Sequence, residues 1–178
     1  MPRLRSATSA DLPRIWEVRH GTAVNRLTDP SLVTDEEVAW YMNEAIFLVS
    51  EDDRGVQGFA CADHQTGYVW ALFVIDDAQG RGHGTALLDE AIERLRQAGH
   101  RQAFLTTGVG TQAAAFYRSK GWRQTGLDMK AEAVFRLCAV LQFERTIFVA
   151  QRSRRRPETG RCPASGAGRI IAWTACGH

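Results

Sequence analysis

An α/β (α+β) fold, with a mixed and mostly antiparallel central sheet of six to seven strands flanked by about four helices, is predicted by three observations. The first is the stretch from Ala71 to Leu88, which opens as a short apolar run, breaks at glycines 80, 82 and 84, and resumes with apolar pairs at helical spacing (Leu87/Leu88, Ala91/Ile92, Leu95). It reads as strand, glycine loop, helix. The second is a series of short apolar runs ahead of this loop, separated by turn clusters, which reads as an antiparallel meander. The third is a further strand, helix and strand after it.

The elements follow in chain order. Arg3–Ala7 is a first strand leading to Ser9, an N-cap for a helix over about Ala10–Val18 with Asp11 and Pro13 in its first turn. Thr34-Asp35-Glu36-Glu37 is a capping box that opens a second helix running to about Asn43. Ile46–Ser50 and Val56–Ala62 are strands joined by the acidic turn Glu51-Asp52-Asp53-Arg54-Gly55. Asp63-His64-Gln65-Thr66-Gly67 makes the next turn, and Tyr68–Ile75 feeds the glycine loop. The helix after the loop spans roughly Gly84–Ala98 and is capped by Gly99. Ala103–Thr107 is a buried strand, Gly108-Val109-Gly110-Thr111 turns into a helix stopped by Gly121, Trp122–Thr125 begins another strand, and Met129–Leu137 is the last.

Glycines just before a helix let the backbone aim its free N–H groups at one point, where the helix dipole adds positive charge; such a loop suits a phosphate. The spacing excludes two families of phosphate loop. No lysine follows these glycines, as a P-loop requires. A dinucleotide fold needs G-x-G-x-x-G at the start of its first βαβ unit and an acid ending the next strand. Here the glycines fall as G-x-G-x-G, that strand ends Leu105-Thr106-Thr107-Gly108, and a meander precedes the loop.

Gln79-Gly80-Arg81-Gly82-His83-Gly84 matches Gln/Arg-x-x-Gly-x-Gly/Ala in full. It resembles motif A of the GNAT N-acyltransferase superfamily, in which the loop amides hold the pyrophosphate of acetyl-CoA. Downstream, Ala113, Phe116, Tyr117, Gly121 and Trp122 occupy the positions of that family's Asn-x-x-Ala-x-x-Phe/Leu-Tyr and Gly-Phe/Trp pattern, with Gly110 where asparagine is usual. Two motifs in the right order, separated by the right elements, are far more specific than either alone. The resemblance covers about residues 3–137.

The resemblance implies a GNAT fold whose sheet splays at the cofactor cleft, and acetyl-CoA as acyl donor with no metal. It implies cofactor contacts from Phe73, Val74 and Ile75 on the strand, from Gln79, Gly80, Arg81, Gly82, His83, Gly84 and Thr85 in the loop, and from Gly110, Ala113 and Phe116 beyond it. Tyr117 matches the family's general acid, and a backbone N–H near Val74 would polarise the thioester carbonyl. Of His83, the backbone amide rather than the ring is expected to contribute. Asn25, Arg26, Tyr68 and Trp70 are the candidate acceptor-side residues, an arginine being able to bind a carboxylate in bidentate fashion. The general base stays open. The strand start Gly67-Tyr68-Val69-Trp70 carries no acid, and Asp63, His64, Glu37 or a water held by Tyr68 are the alternatives.

The reaction expected is transfer of an acetyl group to the primary amine of a small-molecule acceptor, by direct attack in a ternary complex. The alternative is a non-catalytic acyl-CoA-binding module. Composition narrows the field further. The chain has 178 residues, 44% of them apolar, enough to bury one ordinary core. No apolar run has membrane-spanning length and Met1–Ser6 has no signal-like core, so a cytoplasmic protein without a membrane partner is expected. Residues 151–178 hold six arginines against Glu158 alone, which leaves 16 basic and 19 acidic side chains, a formal −3, in residues 1–150. That balance argues against nucleic-acid binding by the folded part, and a homodimer is allowed. The four cysteines, 61, 138, 162 and 176, show neither metal nor disulfide spacing. A boundary is expected near 137/138, with an acetyltransferase domain over 1–137 and an irregular extension over 138–178.

Overall fold

The computed structural model describes residues 2–22 and 35–138, excepting the side chains of 35–37. Strand β1 (Arg3–Ser6) is followed by a 3-10 turn (Ser9–Asp11) and helix α1 (Leu12–His20). The helix thus starts later than the Ser9 cap predicts, because Asp11 is the residue that organises the corner. Its carboxylate accepts the Thr8 N–H at 2.8 Å and N–H groups of the two terminal guanidinium nitrogens of Arg5 at 2.7 Å each. Helix α2 runs over Asp35–Glu44; the capping Thr34 lies outside the described residues.

Strands β2 (Ile46–Asp52), β3 (Gly55–Ala62) and β4 (Val69–Val74) complete an antiparallel sheet in the order β1-β2-β3-β4. Nearly every residue of β3 is buried because helices cover both faces. On one face, helix α3 (His83–Gln97) lays Leu87, Leu88, Ala91 and Leu95 on Leu48 and Ala60. On the other, Ile15 and Val18 of α1 and Val38 of α2 pack on Phe47, Phe59 and Phe73. Each fully buried leucine contributes about 2 kcal/mol of transfer free energy, so the sheet is clamped from both sides. Pairing of Cys61 with Ala71 and of Ala62 with Val69 leaves Trp70 unmatched, a bulge that bends β4.

Strand β5 (Gln102–Thr107), helix α4 (Gln112–Ser119), β6 (Arg123–Leu127) and β7 (Ala133–Cys138) follow, the strands forming a second antiparallel sheet in the order β5-β7-β6. Seven strands and four helices are therefore described, in the predicted fold class but divided between two sheets. β4 and β5 meet at one parallel bridge, Tyr68 with Phe104, where the Phe104 N–H donates to the Gly67 carbonyl at 3.1 Å. Beyond it they part. The last strand begins four residues later than its apolar pattern predicts, because residues 128–132 turn around Asp128, whose Oδ1 accepts the N–H groups of Lys130 at 2.9 Å and Glu132 at 2.8 Å. Beyond Cys138 the expected extension lies outside the described residues.

Candidate functional site

The gap between β4 and β5 opens into a cleft of about 470 Å³, walled by β4, the glycine loop, the start of α3, Thr107 of β5 and helix α4. A 3-10 turn (Asp76–Ala78) leads from β4 into the loop, and Gln79 Nε2 ties it back by donating to the Val74 carbonyl at 3.2 Å and Asp76 Oδ1 at 3.0 Å. Gly80 and Gly82 then adopt φ of 73° and 92°, conformations that disfavour any residue with a Cβ. Gly82 is the N-cap of α3, and no side chain caps it. The first intrahelical bond is from Ala86 to Gly82, so the amides of His83, Gly84 and Thr85 end the helix without partners from it. Gly84 and Thr85 line the cleft; this corner can hold a phosphate.

His83 contributes backbone to this corner, and its ring goes elsewhere. The ring is 2% exposed, Nδ1 lies 2.8 Å from Ser50 Oγ and Nε2 lies 3.6 Å from Asp52 Oδ2. Burial holds its pKa below the usual imidazole range, with Asp52 opposing. The side chain pins α3 to β2.

Backbone polarity along β4 follows from the ladder. The Ile75 N–H donates to the Gln57 carbonyl at 2.9 Å, so by antiparallel alternation Phe73 turns its amide the same way, and Leu72 and Val74 turn theirs toward the gap. The Phe73 ring is sealed in the core against Phe59, 5.2 Å between centroids. Across the cleft, the Thr111 hydroxyl caps α4 by accepting the Ala114 N–H at 3.1 Å, and α4 presents Ala113, Phe116 and Tyr117 to the cleft. Tyr117 packs on Trp122 and Phe135, its hydroxyl makes no hydrogen bond to a described residue, and burial, with Tyr68 nearby, raises its pKa well above the usual phenol value. Lys120 stands at the rim, its Nζ 5.7 Å from the Phe116 ring.

Of the predicted cofactor residues, Phe73, Val74, Gln79, Gly80, Gly82, Gly84, Thr85, Ala113 and Phe116 line the cleft, together with Tyr117. Ile75 and Arg81 do not; Ile75 is bonded to β3 and Arg81 is exposed. Gly110 shapes the turn with φ 74°, a left-handed conformation that asparagine also tolerates. Trp70 is 7% exposed and its ring is tilted against that of Tyr41, 4.3 Å between centroids, a core position. Tyr68 is half-buried at the closed end of the gap, its hydroxyl 3.0 Å from Thr106 Oγ1. Asp63 is spent on its own turn, accepting the Gln65 N–H and the Thr66 hydroxyl at 2.7 Å each, and the carbonyl of His64 lies 2.7 Å from His100 Nε2. Asn25, Arg26 and the side chain of Glu37 lie outside the described residues.

Sequence reasoning missed Leu72, Thr107, Thr111 and Lys120 as cleft residues, and also Glu132. Glu132 is 5% exposed, and neither carboxylate oxygen has a hydrogen-bond partner among the described residues. Burial and the Asp128 charge raise its pKa; the nearby Thr106 hydroxyl works the other way without reaching full hydrogen-bond geometry. Only the reading of 129–137 as continuous strand hid it. Among the described residues no cluster of His, Cys, Asp or Glu could hold a metal ion, and no helix is long and apolar enough to cross a membrane.

A family model described as the acetyltransferase (GNAT) family matches residues 12–122. A mycothiol acetyltransferase of Cellulomonas flavigena is 29% identical over 124 residues, 62% of this chain and 35% of that protein. The chain spans about a third of the length of the curated relatives it matches. Among solved structures, a PaiA N-acetyltransferase from Thermoplasma acidophilum in complex with coenzyme A superposes with a TM-score of 0.66 at 15% identity, covering 78% of this chain and 99% of that one. A phosphinothricin acetyltransferase from Sinorhizobium meliloti in complex with AcCoA gives 0.65 at 24%, covering 78% and 88%.

Proposed function

Because this chain belongs to the acetyltransferase (GNAT) family, we propose that it transfers the acetyl group of acetyl-CoA to the primary amine of a small-molecule acceptor, by direct attack in a ternary complex. The observation that carries the reading is the splay of β4 from β5, with a glycine loop and an uncapped helix start at one end and a buried tyrosine along the side. Two of the relatives above are named for small molecules rather than for proteins, which supports the acceptor class.

In this reading the pyrophosphate sits on the amides of His83, Gly84 and Thr85, with Lys120 adding charge at the rim. The pantetheine arm runs along β4 and completes its free edge through the backbone of Leu72 and Val74. Attack of a neutral amine on the thioester carbonyl builds negative charge on oxygen, which one of these two N–H groups accepts; a preorganised donor there needs no rearrangement as the charge develops. Collapse of the tetrahedral intermediate expels the thiolate. The Tyr117 phenol, kept protonated across the neutral range by burial, stands ready to donate to the departing sulfur.

The test is a thiol-release assay with acetyl-CoA and a panel of primary amines, with the acetylated product identified by mass. Turnover of at least one amine is expected. Saturable binding of CoA without release on any acceptor would replace this reading by that of a binding module, and absence of both would remove it.

A further inference from the structure

The base that frees the amine is open in the reading above, and the structure narrows it. Tyr68 is the residue at which β4 and β5 last touch, at the closed end of the gap. That hydroxyl is 3.0 Å from Thr106 Oγ1. Thr106 and Val134 are register partners across β5 and β7, which brings the start of β7, and Glu132 with it, against the far side of Thr106. Glu132 is a carboxylate 5% exposed, with both oxygens unpartnered among the described residues. Its inward aim is enforced by the turn before it. Asp128 accepts the Glu132 N–H at 2.8 Å, the Asp128 N–H donates to the Glu132 carbonyl at 2.9 Å, and Ala131 is held at φ 62°, a left-handed value that a side chain disfavours. A buried acid left without a partner by a strained turn is a group kept for some use.

We propose that Glu132 is the terminal proton acceptor for the attacking amine, receiving its proton through Tyr68 and Thr106. The inference rests on the amine-acetylation reading above. The ammonium form of the acceptor docks at the Tyr68 hydroxyl. Its proton passes to Tyr68 Oη as the phenolic proton moves to Thr106 Oγ1, and the Thr106 proton moves to a Glu132 oxygen once that side chain turns onto Thr106 Oγ1 to make the hydrogen bond it lacks at rest. The amine is left neutral, the two hydroxyls are restored with their hydrogens reversed, and Glu132 ends as the acid. The groups facing this chain are Asp128 and Lys130 from the turn, Tyr41 from α2 and Tyr117 from α4. Asp63 and His64, the sequence candidates within the described residues, lie in a turn where the Asp63 carboxylate is already bonded. Glu132 is a positioning and proton-holding residue that does not touch the acceptor itself.

Glu132→Gln keeps the shape and removes the proton acceptor. With ethylamine as a minimal acceptor beside the best amine of the panel, kcat/KM of the variant should fall by about 10²-fold with KM for acetyl-CoA unchanged, and the acid limb of the pH profile should disappear. Thr106→Val, which breaks the chain without touching a charge, should lose a similar factor, and the double variant no more than either alone. Independently of turnover, [13C]glutamate NMR of the CoA-bound protein should show one carboxyl, absent from Glu132→Gln, that titrates above the usual range and shifts when ethylamine is added. A wild type that turns over amines beside a Glu132→Gln variant within about twofold at every pH overturns the relay and leaves amine acetylation standing. A wild type inactive on every amine sinks the acetylation reading, and the NMR signal then decides Glu132: a carboxyl indifferent to ethylamine overturns the proposal, one that responds sustains it as the acid coupled to a bound amine through Tyr68 and Thr106.

Discussion

Replacement of Gly82 by alanine separates backbone strain from steric fit in the loop. Gly82 has φ 92° and ψ −8° at the N-cap of α3, and a Cβ built there meets only Pro2 Cγ, at 3.8 Å. The space is open, so the whole effect is conformational: an L-residue in the left-handed region costs about 1–2 kcal/mol. If the loop keeps its shape, the cost appears as stability, roughly 2–8 °C of thermal midpoint for a domain of this size. If instead the loop relaxes to negative φ, stability is retained but the amides of residues 83–85 are re-aimed, and CoA affinity falls about tenfold for each 1.4 kcal/mol. Differential scanning calorimetry and calorimetric titration with CoA read the two shares, which should together reach at least about 1 kcal/mol. Gly84→Ala is the control. Its Cβ would make ordinary contacts with Val74 at 3.6 Å and Phe116 at 3.8 Å, with no left-handed φ, so stability should hold or rise by up to about 1 kcal/mol. A Gly82→Ala protein with both midpoint and affinity at wild-type values would refute the loop argument.

Tyr117→Phe keeps the ring against Trp122 and Phe135 and removes only the hydroxyl; acetyl-CoA should still bind while kcat falls on the order of 10²-fold, less for an acyl donor whose thiol leaves readily, in steady-state kinetics. Leu87→Ala deletes a fully buried side chain from the α3 face and should destabilise by about 2–5 kcal/mol in urea denaturation. Asp11, whose pKa the bidentate Arg5 pair lowers to about 2, contributes stability that is complete above its unfolded value of 3.8 and is lost as pH falls through about 2. Asp11→Asn should therefore cost about 1–2 kcal/mol at neutral pH and only a few tenths, about 0.4 kcal/mol or less, near pH 2, by thermal midpoints across that range.

The glycine loop was legible because its demand is local. Positive φ at Gly80 and Gly82 and the helical spacing of Leu87, Leu88, Ala91 and Leu95 are properties of residue type at fixed offsets. The same holds for Thr111 opening α4 and for the Ala113-to-Trp122 pattern. The burial of Trp70 against Tyr41 was not legible, because a bulge in β4 resets the alternation of facing there, and a bulge depends on the partner strand. Sequence reading expects the backbone rather than the ring of His83 to serve the loop, and where the ring goes was not legible, because its partners, Ser50 and Asp52, come from a strand more than thirty residues away.

By itself, then, the sequence determined the order of elements, the phosphate-type loop and the family, since these rest on short-range backbone requirements that few residues satisfy. Only the tertiary structure decided which edge of β4 is free, that the Ile75 amide is bonded back to β3 while Trp70 is buried against Tyr41, and that Glu132 is buried beside Thr106 and Tyr68. Tyr68 and Thr106 are 38 residues apart and touch because β4 and β5 share one bridge before they diverge. Glu132 reaches them because a strained turn at Ala131 starts β7 late. Burial and charge of that kind arise from the packing of distant segments, and no local pattern of residues carries them.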